Sequence, residues 1–303
     1  MDKPSFAIQL NELRPPAELD PLLRTIEEIG YRKVTLPDHL DGQAAPLAGV
    51  GYLAARTTRV KAGTLVLNNE LRHPGLLGRE FATLAGLFPG RIDLGIGAGW
   101  KASDLATIGA GLDPARERID RLAEALEILS AAAMGKRLDF EGRYYRISDL
   151  PMPAISAPFE ITVGGGGARM LRLAAAYAGT VGINPRLTSE DFTEETIAEL
   201  TLPAHLAKIE VVKSAAAEHG RDPLLQVRTV LVRVGAGARA WLAEIATAFG
   251  VDLEEAMMMP PVLAGSVDEL VDKVGRLHSE HGIGEWVLHE DQIESFAPVV
   301  ASF

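Results

Sequence analysis

The chain has 303 residues and a formal net charge of −11, which argues against a general nucleic-acid binder because phosphate binding needs a basic surface. It contains no cysteine, which excludes disulfides, thiolate catalysis and cysteine-ligated metal sites, and it has no other metal-ligand spacing. The amino-terminal segment lacks the apolar stretch of a secretory signal, and no run approaches the roughly 20 apolar residues of a membrane helix. We therefore expect a cytoplasmic protein that binds a small molecule and neither nucleic acid nor membrane.

Apolar runs typical of buried strands alternate along the chain with segments that have the 3.6-residue period of an amphipathic helix. This alternation favours an α/β fold with one domain over residues 1–303, a (β/α)8 TIM barrel rather than a doubly wound open sheet. The predicted strands are Phe6–Leu10, Val34–Leu36, Gly63–Leu67, Ile92–Ile96, Phe159–Val163, Thr180–Ile183, Val227–Val234 and Gly284–His289. The clearest predicted helices are Pro46–Arg56, Leu76–Leu87, Ala168–Ala178, Pro203–Glu218, Ala238–Phe249 and Val267–His281.

Two segments are predicted to lie outside the barrel. Asp139–Ile147 alternates with a period of two residues around Gly142, which indicates a small hairpin. Ser189–Leu200 is acidic and has no regular period, so we expect an excursion there.

Ser266 and Glu269 have the spacing of a capping box, which predicts that a helix begins at Val267.

The glycine-rich run after the predicted fourth strand is a first candidate for a binding site. It reads GIGAGW from Gly95 to Trp100, and its G-x-G-x-G spacing, with no helix directly behind it, argues against a dinucleotide fingerprint. Gly97, Ala98 and Gly99 have two explanations: close packing of the barrel, or the approach of a flat ring to the backbone. We favour the ring, because the run ends where ligands bind to parallel barrels.

A second glycine-rich run joins the predicted fifth strand to a helix. Gly164, Gly165, Gly166 and Gly167 would expose free N–H groups at the positive end of that helix, an arrangement suited to phosphate. Arg169 could add a charge-assisted contact. A flexible loop is the alternative, but the position directly between strand and helix favours the phosphate site.

Asp38 and His39 follow the predicted second strand. A histidine in a loop is most often a surface residue. At the carboxyl end of a barrel strand it becomes a candidate for proton transfer, because the ordinary pKa of histidine lies near neutrality.

Together these segments resemble the bacterial luciferase-like family of flavin- and deazaflavin-dependent oxidoreductases. The resemblance is carried in the family's order by TLPDHL, GTLVLNNELRHP, GRIDLGIGAGW and ITVGGGGARMLRLAA, and it extends over nearly the whole chain. The combination of RHP, GRIDLGIGAGW and GGGGARMLRLAA is most similar to the branch that uses the deazaflavin coenzyme F420. This resemblance implies a (β/α)8 barrel with excursions, and a homodimer.

The resemblance also implies roles for individual residues. Leu65, Val66 and Asn68 match the segment that lies against the cofactor ring, and the Leu65–Val66 bond matches a cis peptide of the family. Gly165, Gly166, Gly167 and Arg169 match the phosphate grip. Asp38 and His39 match the pair at the end of the second strand and are the predicted catalytic residues, and in the deazaflavin-dependent sugar-phosphate dehydrogenases that histidine is the proposed base. Those dehydrogenases carry a proton-donating glutamate where this chain has Trp100.

The function that follows is hydride transfer between coenzyme F420 and a small organic substrate that the sequence does not identify. Two alternatives remain on the same barrel: an FMN-dependent monooxygenase and a non-catalytic flavin-binding protein. We expect coenzyme F420 to be favoured over FMN at low ionic strength. The reason is that Arg72, Lys101, Arg169 and Arg186 fall on loops at the mouth and could attract its carboxylate-rich tail.

Overall fold

Eight parallel strands close into a barrel in the computed structural model, which describes residues 3–186 and 193–303. Each strand pairs with its neighbour in chain order, the last strand pairs with the first, and the pairing of the third strand with the fourth is the final link around the ring. The (β/α)8 prediction is therefore confirmed. The strands are Ser5–Gln9 (β1), Lys33–Leu36 (β2), Lys61–Thr64 (β3), Ile92–Gly97 (β4), Glu160–Gly165 (β5), Thr180–Ile183 (β6), Leu224–Arg228 (β7) and Ile283–His289 (β8).

Helices surround the barrel, and their ends follow the local sequence. Ser266 and Glu269 form the predicted capping box at the start of Val267–His281, and Gly30 ends the first helix in a left-handed conformation. The helices are Pro16–Ile29, Pro46–Arg56, Pro74–Leu87, Ala102–Thr107, Ala115–Ala133, Ala168–Tyr177, Glu194–Ala198, Leu202–Glu218, Ala238–Ala248, Leu253–Met258, Val267–His281 and Ala297–Val300. Single 3-10 turns occur at Asn69–Leu71 and Glu290–Gln292.

The barrel interior contains a buried ionic network near the amino ends of the strands. Lys33 Nζ lies 2.6 Å from Asp93 Oδ2 and 3.0 Å from Glu285 Oε2. Thr162 donates to Asp93 at 2.8 Å, and Gln226 donates to Glu285 at 2.5 Å. Burial alone would lower the pKa of Lys33, but the two carboxylates outweigh it and raise that pKa. The network fills this end of the barrel and leaves the opposite end open.

The predicted seventh strand is wrong in its extent. The apolar run Val227–Val234 is divided, because the chain leaves the barrel after β7 and its Val230 N–H donates to the carbonyl of Pro261 at 2.8 Å. The segment Leu231–Val234 then pairs in parallel with Val262–Gly265, a strand that the sequence did not predict. The carboxyl end of β7 therefore lies at Arg228, at the mouth of the barrel.

The hairpin outside the barrel is confirmed as an antiparallel pair, Leu138–Glu141 with Arg146–Leu150. The first part of the predicted excursion, residues 189–192, lies outside the described residues, and a short helix, Glu194–Ala198, follows it. Among the described residues, no helix has the length and apolar character that crossing a membrane requires.

Candidate active site

A cavity with a volume of about 740 Å³ lies at the carboxyl ends of the barrel strands. Its position agrees with the general location of ligand sites in parallel barrels. The structure brings together in its wall every residue that the sequence analysis placed in a site. These residues are Asp38, His39, Leu65, Val66, Asn68, Gly97, Ala98, Gly99, Gly164, Gly165, Gly166, Gly167 and Arg169.

The peptide bond between Leu65 and Val66 is cis, as the family resemblance implied. It lies between β3 and a two-residue strand, Leu67–Asn68, that pairs with the end of β4. The predicted strand Gly63–Leu67 is therefore interrupted at this bond. Both Leu65 and Val66 line the cavity.

The glycines of β4 are explained by packing within the protein. A Cβ on Gly95 would collide with the carbonyl oxygen of Thr64, and one on Gly97 would lie 3.0 Å from Val66 Cγ2. Gly99 has a φ of 74°, and a Cβ there would collide with the side chain of Asn68. Close packing accounts for these glycines without a ligand, so the approach of a ring at Gly97–Gly99 stays a prediction.

The second glycine run has the features of an anion site. Gly167 is the N-cap of the helix Ala168–Tyr177 and has no side chain that could cap its first turn, and no cap is formed among the described residues. A Cβ on Gly166 would collide with the backbone at Pro185 and Arg186, whereas one on Gly167 would lie 3.6 Å from the Arg186 side chain and would meet no other described residue. The first N–H groups of the helix therefore remain available to a ligand such as phosphate.

Two arginines near this run differ from the sequence prediction. The guanidinium of Arg169 forms an ion pair with Asp120 and donates to the carbonyl of Arg116 at 3.0 Å, so its charge is already balanced. Arg118, which the sequence analysis missed, lines the cavity and donates to the carbonyls of Asp113 at 2.8 Å and Ala98 at 3.3 Å. Burial lowers the pKa of Arg118, and no carboxylate within the described residues forms an ion pair with it.

His39 is held by a carboxylate that sequence reasoning did not find. Its Nδ1 lies 2.7 Å from Oδ2 of Asp104, a buried residue of the short helix after β4. Asp104 Oδ1 also accepts the N–H of Leu40 at 3.0 Å. With Nδ1–H facing a carboxylate, a neutral His39 carries its lone pair on Nε2, as a base requires. The ring of Trp100 lies edge-on to that of His39, 6.0 Å between centroids.

Asp38 is fully engaged with its neighbours. Its two oxygens accept from Arg72 at 2.5 Å and 2.9 Å, and Oδ2 also accepts the N–H of Asn68 at 2.9 Å. The carboxylate is buried and links the end of β2 to the segment after the cis bond. These contacts position Asn68 rather than leave Asp38 free for proton transfer.

The cations expected to attract an acidic tail are already paired. Arg72 binds Asp38, Lys101 lies 2.9 Å from Asp41, and Arg186 lies 2.6 Å from Glu199. Arg169 pairs with Asp120, as described above. Because each positive charge meets a negative one, these four cations give no reason to expect that coenzyme F420 is favoured at low salt.

Three buried polar atoms on the cavity wall have no hydrogen-bond partner among the described residues: Gln9 Oε1, Gln43 Oε1 and His205 Nε2. Burial lowers the pKa of His205 to about 4, so its ring is neutral at pH 7. Buried polar atoms rarely remain unpaired. These three atoms are therefore candidates to accept hydrogen bonds from a ligand. Among the described residues, no group of three or more histidine, aspartate or glutamate side chains is placed to hold a metal ion.

The chain is similar to one protein family over most of its length and to two proteins of known name. The sequence model of the luciferase-like monooxygenase family matches residues 5–256. An F420-dependent glucose-6-phosphate dehydrogenase from Mycolicibacterium smegmatis is 31% identical over 90% of this chain and 88% of that protein. Another from Microbacterium testaceum is 40% identical, over 54% of this chain and 52% of that protein, so this match spans about half of the relative's length.

The fold is shared with a solved structure. Coenzyme F420-dependent tetrahydromethanopterin reductase from Methanopyrus kandleri matches with a TM-score of 0.75, covering 100% of both chains at 19% sequence identity. At this identity the match concerns the fold alone.

Proposed function

Because the chain belongs to the luciferase-like monooxygenase family, we propose that it is a coenzyme F420-dependent oxidoreductase that transfers hydride to or from a small organic substrate. Two relatives at 31% and 40% identity, both named for this cofactor, support the proposal. We also propose a homodimer, as the resemblance to the family implies.

The residues on the cavity wall fit such a cofactor. The uncapped first turn after Gly167 would hold the phosphate, with Arg118 supplying positive charge from the side of Gly97–Gly99. Leu65 and Val66 would lie against the ring. When bound, the deazaflavin supplies the two-electron hydride chemistry, and the protein supplies position and electrostatics.

The observation that carries the proposal of catalysis is the pair formed by His39 and Asp104. The 2.7 Å contact fixes the ring so that Nε2 can take a proton from a substrate hydroxyl or return one to it. The resemblance to the sugar-phosphate dehydrogenases implies a glutamate donor at the position of Trp100, and an indole does not act as an acid at neutral pH. His39 is therefore the group to which we assign proton transfer, and Asp38 is a positioning residue.

Glucose 6-phosphate is the first substrate to test, because both relatives are named for it. The change at Trp100 is the reason to test other hydroxylated substrates beside it.

Equilibrium titration of the apoprotein with coenzyme F420 and with FMN, followed by fluorescence, tests the cofactor assignment. We expect coenzyme F420 to bind more tightly than FMN. Tighter binding of FMN would contradict the assignment and favour the second candidate, an FMN-dependent monooxygenase, which the description of the family supports.

A further inference from the structure

Arg228 stands apart from the other cations of the cavity. Lys101, Arg169 and Arg186 each contact a carboxylate, and Arg118 donates to two carbonyl groups. Arg228, by contrast, has no ion pair with any carboxylate of the described residues. Its Nη2 lies 3.3 Å from Nε2 of His289.

The surroundings of Arg228 are those of a cavity wall. The side chain is accessible to water, yet the protein around it lowers its pKa through burial. Val230 and Pro261 line the same cavity. His289 is also shifted, since burial and the charge of Arg228 lower its pKa, and a neutral ring can accept the hydrogen bond. Within the part of the chain that the structure describes, Arg228 keeps most of its N–H donors free and has no carboxylate as a counter-charge.

Gln9, Arg228 and His289 form a cluster of polar side chains at the mouth of the barrel. In the barrel register Gln9 is aligned with His289, and Arg228 is aligned with Val287, so the three side chains lie at the carboxyl ends of the adjacent strands β7, β8 and β1. Gln9 is buried, and its Oε1 is one of the unpartnered atoms of the cavity wall. The cluster thus offers free cationic donors beside a free acceptor.

The position of the cluster separates it from the expected cofactor residues. The cis bond, Gly97–Gly99 and Gly164–Gly167 lie at β3, β4 and β5, and β8 stands opposite β4 in the ring of eight strands. His39 follows β2, next to β1. The cluster and the expected cofactor residues therefore lie on opposite sides of the same cavity.

We propose that Arg228, oriented by His289, binds an oxyanion, a carboxylate or phosphate group, of a substrate that also carries a hydroxyl group. The planar guanidinium presents paired donors that suit either oxyanion. Gln9 Oε1 accepts a hydrogen bond from a hydroxyl of the same molecule. The identification of the bound molecule as a substrate rests on the proposed function. Binding of the oxyanion itself depends only on the residues named.

The test measures anion binding to the apoprotein without the cofactor. The probes are inorganic phosphate, acetate and glucose 6-phosphate, added at constant ionic strength, and the readout is the rise in melting temperature, from which a dissociation constant follows. We expect at least one probe to bind, and Arg228→Gln to weaken that binding at least tenfold. Arg228→Lys keeps the charge and should weaken it less.

Arg233→Gln is the matched control. It removes the same charge five positions along the chain, from an exposed side chain stacked on Trp241 outside the cavity wall. We expect it to bind the probes as the wild type does. Its agreement with the wild type would show that the loss in Arg228→Gln is not a general effect of net charge.

Each outcome supports or contradicts the inference. Binding of phosphate but not acetate identifies a phosphate group, and the reverse identifies a carboxylate. If no probe binds, or if Arg228→Gln binds the probes as the wild type does, the inference is wrong, and in the second case the anion lies elsewhere, as at the turn after Gly167. If Arg228→Gln instead loses coenzyme F420, Arg228 serves the cofactor, which also overturns the inference. A wild type that binds the probes but not coenzyme F420 would contradict the proposed function alone.

Discussion

His39 acquires its orientation from Asp104, and the sequence offers no spacing that links the two. His39 could be predicted because it directly follows an apolar strand, where barrel enzymes place functional side chains. Asp104 lies 65 positions further on, in a helix of six residues without a recognisable motif. Arg118 and Arg228 were missed for a related reason: only the folded chain shows which arginines have a carboxylate partner.

Removing His39 should slow turnover far more than it weakens the cofactor complex. For a substrate that the wild type oxidises or reduces, we expect His39→Ala to lower kcat by roughly 10²–10⁴-fold, the usual loss for a general acid or base. Asp104→Asn should lower kcat by a smaller factor, because asparagine offers one acceptor oxygen where Asp104 gives one to His39 and one to the Leu40 N–H, and it carries no negative charge. Steady-state kinetics with a parallel cofactor titration measure both effects.

Asp41→Asn provides the control for these variants. Asp41 is an exposed partner of Lys101 at the same mouth, and its change removes the same charge as Asp104→Asn. We expect wild-type kcat from it. A wild-type kcat in His39→Ala would leave proton transfer to solvent or substrate and remove His39 from the mechanism.

Lys33 should be critical for stability. Lys33→Met leaves Asp93 and Glu285 without their buried counter-charge, and breaking such a pair costs about 3–5 kcal/mol of unfolding free energy. Lys61→Met is a matched change, because Lys61 is aligned with Lys33 on the next strand but pairs with Glu160 at the surface. It should cost at most about 1 kcal/mol. Urea denaturation measures the unfolding free energy of both variants. An equal loss in the two would show that the buried network stabilises the protein no more than the surface ion pair does.

At the scale of elements, hydrophobic patterns located the strands but could not show which sheet they join. The run Val227–Val234 is continuous in sequence, yet its first part lies in the barrel and its second part pairs outside it. An apolar run is compatible with a strand of the barrel and with a strand of the smaller sheet, so the sequence pattern does not show where the run is divided. The division depends on the hydrogen bond from Val230 to Pro261, a contact between distant segments.

The connection between the first helix and β3 should depend on pH through Glu27. Partial burial acts to raise the pKa of Glu27, but the N–H groups of Arg59, Thr58 and Val60 donate to it and lower that pKa to about 2. A depressed pKa means that the stabilisation is complete above the ordinary value of 4.5 and is lost as pH falls towards 2.

Glu27→Gln tests this directly. We expect it to cost about 1.5 kcal/mol of unfolding free energy at pH 7, the lower end of the range for hydrogen bonds to a charged group. The difference from the wild type should shrink as pH falls from 4.5 towards 2. Glu28→Gln, at the exposed neighbouring position, serves as the control in the same denaturation series. A difference that stays constant over this range would rule out the charge of Glu27 as its cause.

At the scale of the whole molecule, the barrel and the position of its site could be predicted because they depend on alternation and on the polar ends of strands. The distribution of charge over the folded molecule could not be predicted from the sequence. A net charge of −11 suggested general repulsion of an acidic ligand, relieved by cations at the mouth. The structure pairs those cations with acids and leaves Arg228 and Arg118 as the positive groups of the cavity wall without a carboxylate partner among the described residues. Such pairing is a property of the folded chain and not of its composition.

A crystal structure of the chain with coenzyme F420 bound would test the proposed site directly. We expect the deazaflavin ring against Leu65 and Val66, its phosphate at the first turn after Gly167, and His39 Nε2 facing the ring across a space for substrate. A cofactor bound outside this cavity, or a phosphate far from Gly164–Gly167, would contradict the proposed site.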